Sequence, residues 1–226
     1  MGIQSLPPKA VIWDMDGTIF DTERLVVDCW EELCLAQGYE VPRSTLLKCI
    51  GRNSRESNEI LRSFFGENDD IDQLRAKKSA MVNERIERDG LPVKKGIHEA
   101  LEWIAAREVP TALASSSDYD KILSRLRLSD LQPFFSVIVG GDQITNGKPH
   151  PEIFLTAAHK LQVDPKDCIV FEDSHNGVIA AHEAGMQVVM IPDLIEANDD
   201  ISKRAHHILE SGAEIIPLLS QLFSRP

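Results

Sequence analysis

The chain has 226 residues, 42% of them apolar and 27% charged, with 13 Gly and 12 Pro. That composition excludes disorder, low complexity and collagen-like repeats, and a chain of this length buries roughly 70 to 75% of its unfolded surface without disulfide or metal staples. Against 24 Lys and Arg stand 36 Asp and Glu, a formal charge of −12, so the overall field repels nucleic acid and anionic membranes, and no basic run offsets it.

The amino-terminal Met1-Gly2-Ile3-Gln4-Ser5-Leu6-Pro7-Pro8 has neither the basic start nor the apolar run of a secretion signal, and no stretch approaches about 18 apolar residues. The chain therefore reads as cytoplasmic. Ala10-Val11-Ile12-Trp13 is a short apolar run of the kind that forms a buried parallel strand. A simple crossover to the next strand needs roughly 20 to 30 residues, yet residues 18–110 intervene. Within them, helical apolar spacing recurs: Leu25, Val26, Cys29, Trp30, Leu33 and Cys34 up to Gly38; Ile60, Leu61, Phe64 and Phe65 up to Gly66; Leu74, Met81 and Ile86 up to Gly90. This predicts a small helical bundle over residues 22–90, inserted after the first strand of a core formed by residues 1–21 and 91–226. Residues 43–89 hold ten basic and nine acidic side chains, so the insert is basic relative to the rest.

Beyond it the cadence is regular. Ile97, Leu101, Ile104 and Ala105 mark a helix, Thr111-Ala112-Leu113-Ala114 and Val137-Ile138-Val139 two strands, Ile153, Phe154, Ala157, Ala158 and Leu161 a helix, and Cys168-Ile169-Val170-Phe171 and Val188-Val189-Met190-Ile191 two more strands. Alternating strands and helices imply an α/β fold with a doubly wound parallel sheet. The cysteines Cys29, Cys34, Cys49 and Cys168 show no Cys-x-x-Cys pair and no zinc spacing, which points to free thiols, with Cys29 and Cys34 on a buried helix face.

Ligands of open α/β sheets bind beyond the carboxyl ends of the strands. The residues there are Asp14-Met15-Asp16-Gly17-Thr18, Ser115-Ser116-Ser117, Gly140-Gly141-Asp142 followed by Lys148, and Glu172-Asp173-Ser174. Converging carboxylates cannot all stay ionised without a cation, and hard oxygen ligands suit Mg²⁺, which would also shield an incoming phosphate. Individually, bland readings compete: Ser117 and Ser174 as helix N-caps, Gly17 as a tight turn, Lys148 as a surface lysine.

Asp14-Met15-Asp16-Gly17-Thr18, Ser115, Lys148-Pro149 and Glu172-Asp173 resemble the four motifs of the haloacid dehalogenase superfamily. Gly147-Lys148-Pro149-His150-Pro151 and the stretch from Phe171 to Val178 are similar to the subgroup that contains β-phosphoglucomutase and small sugar-phosphate phosphatases, and the helical insert is similar to its cap. The resemblance implies a Rossmann-like core and a phosphatase acting on a small phosphorylated metabolite: a sugar, polyol or nucleoside phosphate. It implies Asp14 as nucleophile, Asp16 as acid/base, Ser115 and Lys148 as phosphoryl ligands and catalytic groups, and Mg²⁺ held by Asp14, the Asp16 carbonyl, Asp173 and Glu172. Ser116, Glu23, Arg52 and Arg55 are its implied substrate contacts, and a monomer or weak homodimer its implied state. The mutase branch carries a histidine where this chain has Val26, which weighs against, without removing, a phosphosugar mutase. A phospho-receiver signalling domain is a more remote alternative, disfavoured by the insert and by Asp16.

Overall fold

A computed structural model describes residues 7–66 and 70–224; the reading of the amino terminus falls mostly on residues 1–6, outside them. Among the described residues no helix is long and apolar enough to cross a membrane. Strand β1 (Ala10–Trp13) leads into four helices, α1 (Glu23–Ala36), α2 (Arg43–Leu47), α3 (Ser54–Leu61) and α4 (Ile71–Asp89). The chain then alternates through α5 (Ile97–Ala105), β2 (Thr111–Ala114), α6 (Tyr119–Leu128), β3 (Val137–Val139), α7 (Glu152–Leu161), β4 (Cys168–Glu172), α8 (His175–Glu183), β5 (Gln187–Met190), α9 (Asp199–Arg204), β6 (His207–Ile208) and α10 (Ile215–Phe223). All six strands are parallel, in the order β3-β2-β1-β4-β5-β6.

The two-residue period of a strand sorts the apolar runs onto two faces. Val11, Trp13, Leu113, Ile169, Phe171 and Val189 pack against α5, α6 and α10 through residues such as Leu101, Leu126 and Leu219. Ala10, Ile12, Ala112, Val139, Val170 and Val188 pack against α7 and α8 through Phe154, Ala157 and Val178. Covering both faces is what makes every strand-central residue apolar. Trp13 and Phe171, neighbours on β1 and β4, stack with centroids 4.5 Å apart.

The insert has its own cluster, Val27, Trp30, Leu33, Cys34, Leu46, Leu61, Ile71 and Leu74, drawn from all four of its helices. Local signals fix the helix ends: Asn53 accepts from the Glu56 amide and Asp70 from the Asp72 and Gln73 amides, while Gly90 closes α4 at φ 88°. All four cysteines are free, and Cys29 and Cys34 are buried. Three features depart from the sequence reading. Helix α2 and strand β6 are too short, at five and two residues, to show periodicity. The segment from Ile60 to Phe65 ends its α-helix at Leu61 and continues as a single 3₁₀ turn, Arg62–Phe64.

Candidate active site

The chain starts at the centre of the sheet, winds outward through β2 and β3, and returns across to β4, so a crevice opens at the carboxyl ends of β1 and β4. Asp14 follows β1, with its amide on the Phe171 carbonyl at 3.0 Å, and Ser115 follows β2, with its amide on the Val139 carbonyl at 3.0 Å. Glu172 ends β4 and Asp173 follows it. Gly17 takes φ 86°, and a Cβ there would overlap the Asp173 carboxylate. Both the turn and the close approach require glycine at this position.

Lys148, read on its own as a surface lysine, is fully buried. Its Nζ donates to Asp14 Oδ1 at 2.5 Å and to Glu172 Oε1 at 2.7 Å, with the Phe154 ring 4.8 Å away. Burial opposes its charge, but the Asp14 and Glu172 carboxylates outweigh that and raise its pKa. Glu172 Oε2 accepts from the Ser174 amide at 2.6 Å. Asp173 Oδ1 accepts from the Thr18 hydroxyl at 3.0 Å.

Oxygens of Asp14, Glu172 and Asp173 lie within 4.8 Å of one another. Burial, then the neighbouring carboxylates against the pull of Lys148, pushes the Asp14 carboxyl up to about 8. Burial, Glu172 and Asp14 likewise raise Asp173 well above the usual carboxylate range. One lysine is too little positive charge for three buried carboxylates, and all the donors on offer are hard oxygens, so the residues fit a small divalent cation.

Asp16 stands apart from that trio. Its Oδ1 accepts from the Thr22 hydroxyl at 2.6 Å and from Arg125 Nη1, and its Oδ2 from the Ser117 hydroxyl at 2.8 Å. Burial works against its ionised form, but Arg125 and Lys121, helped by the two hydroxyls, hold the carboxyl below the usual range. Its carboxylate is thus committed away from the Asp14, Glu172 and Asp173 cluster. Ser117 is not the N-cap the sequence suggested: Asp118 holds that position, and Ser117 serves Asp16 instead. Ser174 is the N-cap of α8, accepting from the Gly177 amide at 3.1 Å.

A cavity of about 160 Å³ lies between this rim and the insert, lined by Asp14, Asp16 and Ser115 from the core and by Glu23, Trp30, Arg52, Arg75 and Lys78 from the insert. Ser116 also borders it, but its hydroxyl donates to the Gly51 carbonyl at 3.1 Å and so ties the core to the insert. Arg55 does not reach the cavity. Its guanidinium is exposed and donates to the Thr145 carbonyl at 3.3 Å, beside a separate depression near Asn146 and His150. Arg52, which precedes α3, lines the cavity instead.

Sequence reasoning gave no role to Arg125, Thr22 or Lys78, and quoted Thr18 only as the end of the Asp14 motif. Lys78 is 6% exposed and sits 5.7 Å from the Trp30 ring centre, and burial lowers its pKa to about 7. The available signal was periodicity. Arg125 interrupts the stripe of Ile122 and Leu126, and Lys78 that of Leu74 and Val82; a cation in an apolar stripe needs a partner or a cavity.

Residues 11–191 match the family model described as haloacid dehalogenase-like hydrolase. The chain is 36% identical over 179 residues to "Phosphorylated carbohydrates phosphatase" of Thermotoga maritima, covering 79% of this chain and 82% of that protein. It is 34% identical over 214 residues to "Probable pseudouridine-5'-phosphatase" of Drosophila melanogaster, covering 91% and 90%. In fold it resembles the crystal structure of β-phosphoglucomutase from Clostridium difficile, with a TM-score of 0.81 at 24% identity over 96% of this chain and 97% of that one. With the strand-end residues and the helical insert in place, the chain belongs to the haloacid dehalogenase-like hydrolase family.

Proposed function

We propose that this protein is a Mg²⁺-dependent phosphatase that hydrolyses a small phosphomonoester, a sugar, polyol or nucleoside phosphate, through an aspartyl-phosphate on Asp14. The observation that carries the reading is the Asp14–Lys148–Glu172 arrangement, in which a fully buried ammonium holds one oxygen of Asp14 and leaves the rest of the carboxylate at the cavity. Asp14 attacks phosphorus, which exchanges the ester bond for an acyl phosphate and splits the hydrolysis into two steps. Lys148 and Ser115 bind phosphoryl oxygens and stabilise the charge that spreads over them. Asp16, ionised before substrate binds, carries a proton brought by the phosphomonoester monoanion to the leaving oxygen and then takes one from the water that releases phosphate. Asp14 and Asp173, with the Asp16 carbonyl, would hold the cation and Glu172 would act through Lys148 or water. When bound, Mg²⁺ supplies charge neutralisation for the phosphoryl group.

Residues 22–90 serve as the cap that encloses the leaving group, with Glu23, Arg52, Arg75 and Lys78 facing it. Val26 lines the same cavity, so no imidazole stands where the mutase branch has one, which favours release to water over return to a second sugar hydroxyl. The test is phosphate release across a panel of sugar, polyol and nucleoside monophosphates with Mg²⁺, alongside conversion of β-glucose 1-phosphate with its bisphosphate activator. Release that vanishes in Asp14→Asn supports the reading; isomerisation without release contradicts it.

A further inference from the structure

Helix α6 buries a charge in its apolar stripe. Ile122, Arg125 and Leu126 all face inward, and Arg125 is 3% exposed. A buried guanidinium is costly unless paired, so its partner is the informative contact. Among the described residues its one ion pair is with Asp16, where Nη1 donates to Oδ1 and lies 3.5 Å from the Thr22 hydroxyl. Nη2 is buried and has no hydrogen-bond partner, so the side chain is not there to tie main-chain segments together. Asp16 and Lys121 line the cavity, whereas Arg125 lies behind them.

We infer that Arg125 is the positioning residue for Asp16, fixing the carboxylate that faces the leaving group. The inference rests on the acid/base reading of Asp16 given above. Four residues surround that carboxylate. Thr22 at the start of the insert and Arg125 hold Oδ1; Ser117 holds Oδ2, and Ser117 itself accepts from Lys121 Nζ at 3.1 Å. Lys121 and Arg125 are one helical turn apart, so a single core helix supplies both cations. The hydroxyls of Thr22 and Ser117 rotate freely, while a planar guanidinium on a packed helix does not, and it therefore sets the orientation of the carboxylate. Arg125 touches neither the cavity nor the reacting atoms and acts only through Asp16.

The experiment compares kcat/KM for p-nitrophenyl phosphate, whose leaving group departs without a proton, with that for the best alkyl phosphate of the panel, whose leaving group needs one. This ratio reports steps up to loss of the leaving group and does not see the second step, in which Asp16 acts as a base. Arg125→Met is expected to lower kcat/KM for the alkyl ester by about 100-fold, the scale of a lost general acid, and for the aryl ester by less than about fivefold. Arg125→Lys, which keeps the cation without the fork, is expected to lower the alkyl-to-aryl ratio about tenfold, and it decides the matter if the methionine variant does not fold. Equal losses for both esters, or none, in either folded variant overturn the inference. Asp16→Asn is the reference. If it lacks the leaving-group signature, the acid/base reading falls and the inference with it; if it has the signature and the Arg125 variants do not, the inference alone falls. Adding Arg125→Met to Asp16→Asn is expected to leave the ratio unchanged, and a further drop would show a route that bypasses Asp16.

Discussion

The two walls of the cavity are built on different principles. On the core side the motif carboxylates are held by named partners: Asp14 and Glu172 by Lys148, Asp173 by the Thr18 hydroxyl, Asp16 by Arg125. On the insert side Lys78 is buried and makes no ion pair or hydrogen bond among the described residues, and Glu23, at the start of α1, lines the same cavity, whereas Arg52 and Arg75 have partners in Glu56 and Asn58. Enclosure, together with the Asp16 and Asp14 charges, raises the Glu23 carboxyl to about 8. A preorganised wall does chemistry, because its dipoles and charges need no rearrangement when the phosphoryl group arrives. An unpartnered lysine is expected to select, because it is satisfied only by a ligand that matches it.

Variants should separate the two walls. Asp14→Asn is expected to remove essentially all turnover, at least about 10⁴-fold in kcat, with KM measurable only by binding. Chelation is expected to have a comparable effect, reversed by Mg²⁺, and activity that resists chelation would remove the cation from the account. Lys148→Met takes the shared cation from two buried carboxylates, so it is expected to cost about 10² to 10³ in kcat and about 3 to 5 kcal/mol of stability, read by denaturant melts. Lys78→Met is expected to leave p-nitrophenyl phosphate turnover within a few-fold while raising KM for the preferred substrate about tenfold, a loss confined to the selecting wall. Arg55→Ala, outside the cavity, is expected to change kcat/KM by less than about twofold, against about tenfold for Arg52→Ala. A larger effect at Arg55 than at Arg52 would redraw the insert side.

The core side also carries a pH signature. In the metal-free protein the Asp14 carboxyl is raised from 3.8 to about 8, so the folded state holds a proton that the unfolded chain releases. Between those values, raising the pH costs the metal-free protein stability. A cation binds the ionised carboxylate, so Mg²⁺ should raise Tm more near pH 8 than near pH 6, by thermal shift. The opposite order would show that Asp14 is not part of the cation site.

The difference between the walls also explains what could be read from the sequence. Asp14, Ser115 and Glu172 with Asp173 sit at the ends of β1, β2 and β4, and a strand end is a local feature of the chain. Parallel pairing then brings local features together without further information. Arg52 precedes α3 while Arg75 and Lys78 sit one turn apart on α4, in an insert whose cluster is assembled from Trp30, Leu46, Leu61 and Leu74, so the meeting of Arg52 with the α4 pair depends on helix packing that spacing alone does not define. Arg55 shows the consequence: in the first turn of α3, three residues after Arg52, its guanidinium lies outside the cavity. Arg125 was legible only as an anomaly, a charge within an apolar stripe, and its partner lies 109 positions away.

The most direct test of the account is to trap the intermediate. Asp16→Asn mixed with p-nitrophenyl phosphate and Mg²⁺, quenched in acid within a turnover and analysed by peptide mass spectrometry, should show one phosphoryl group on the peptide that carries Asp14, lost on treatment with hydroxylamine as an acyl phosphate is. A phosphoryl group on Ser115 or any other residue, or an unmodified protein at every quench time within a turnover, would contradict it.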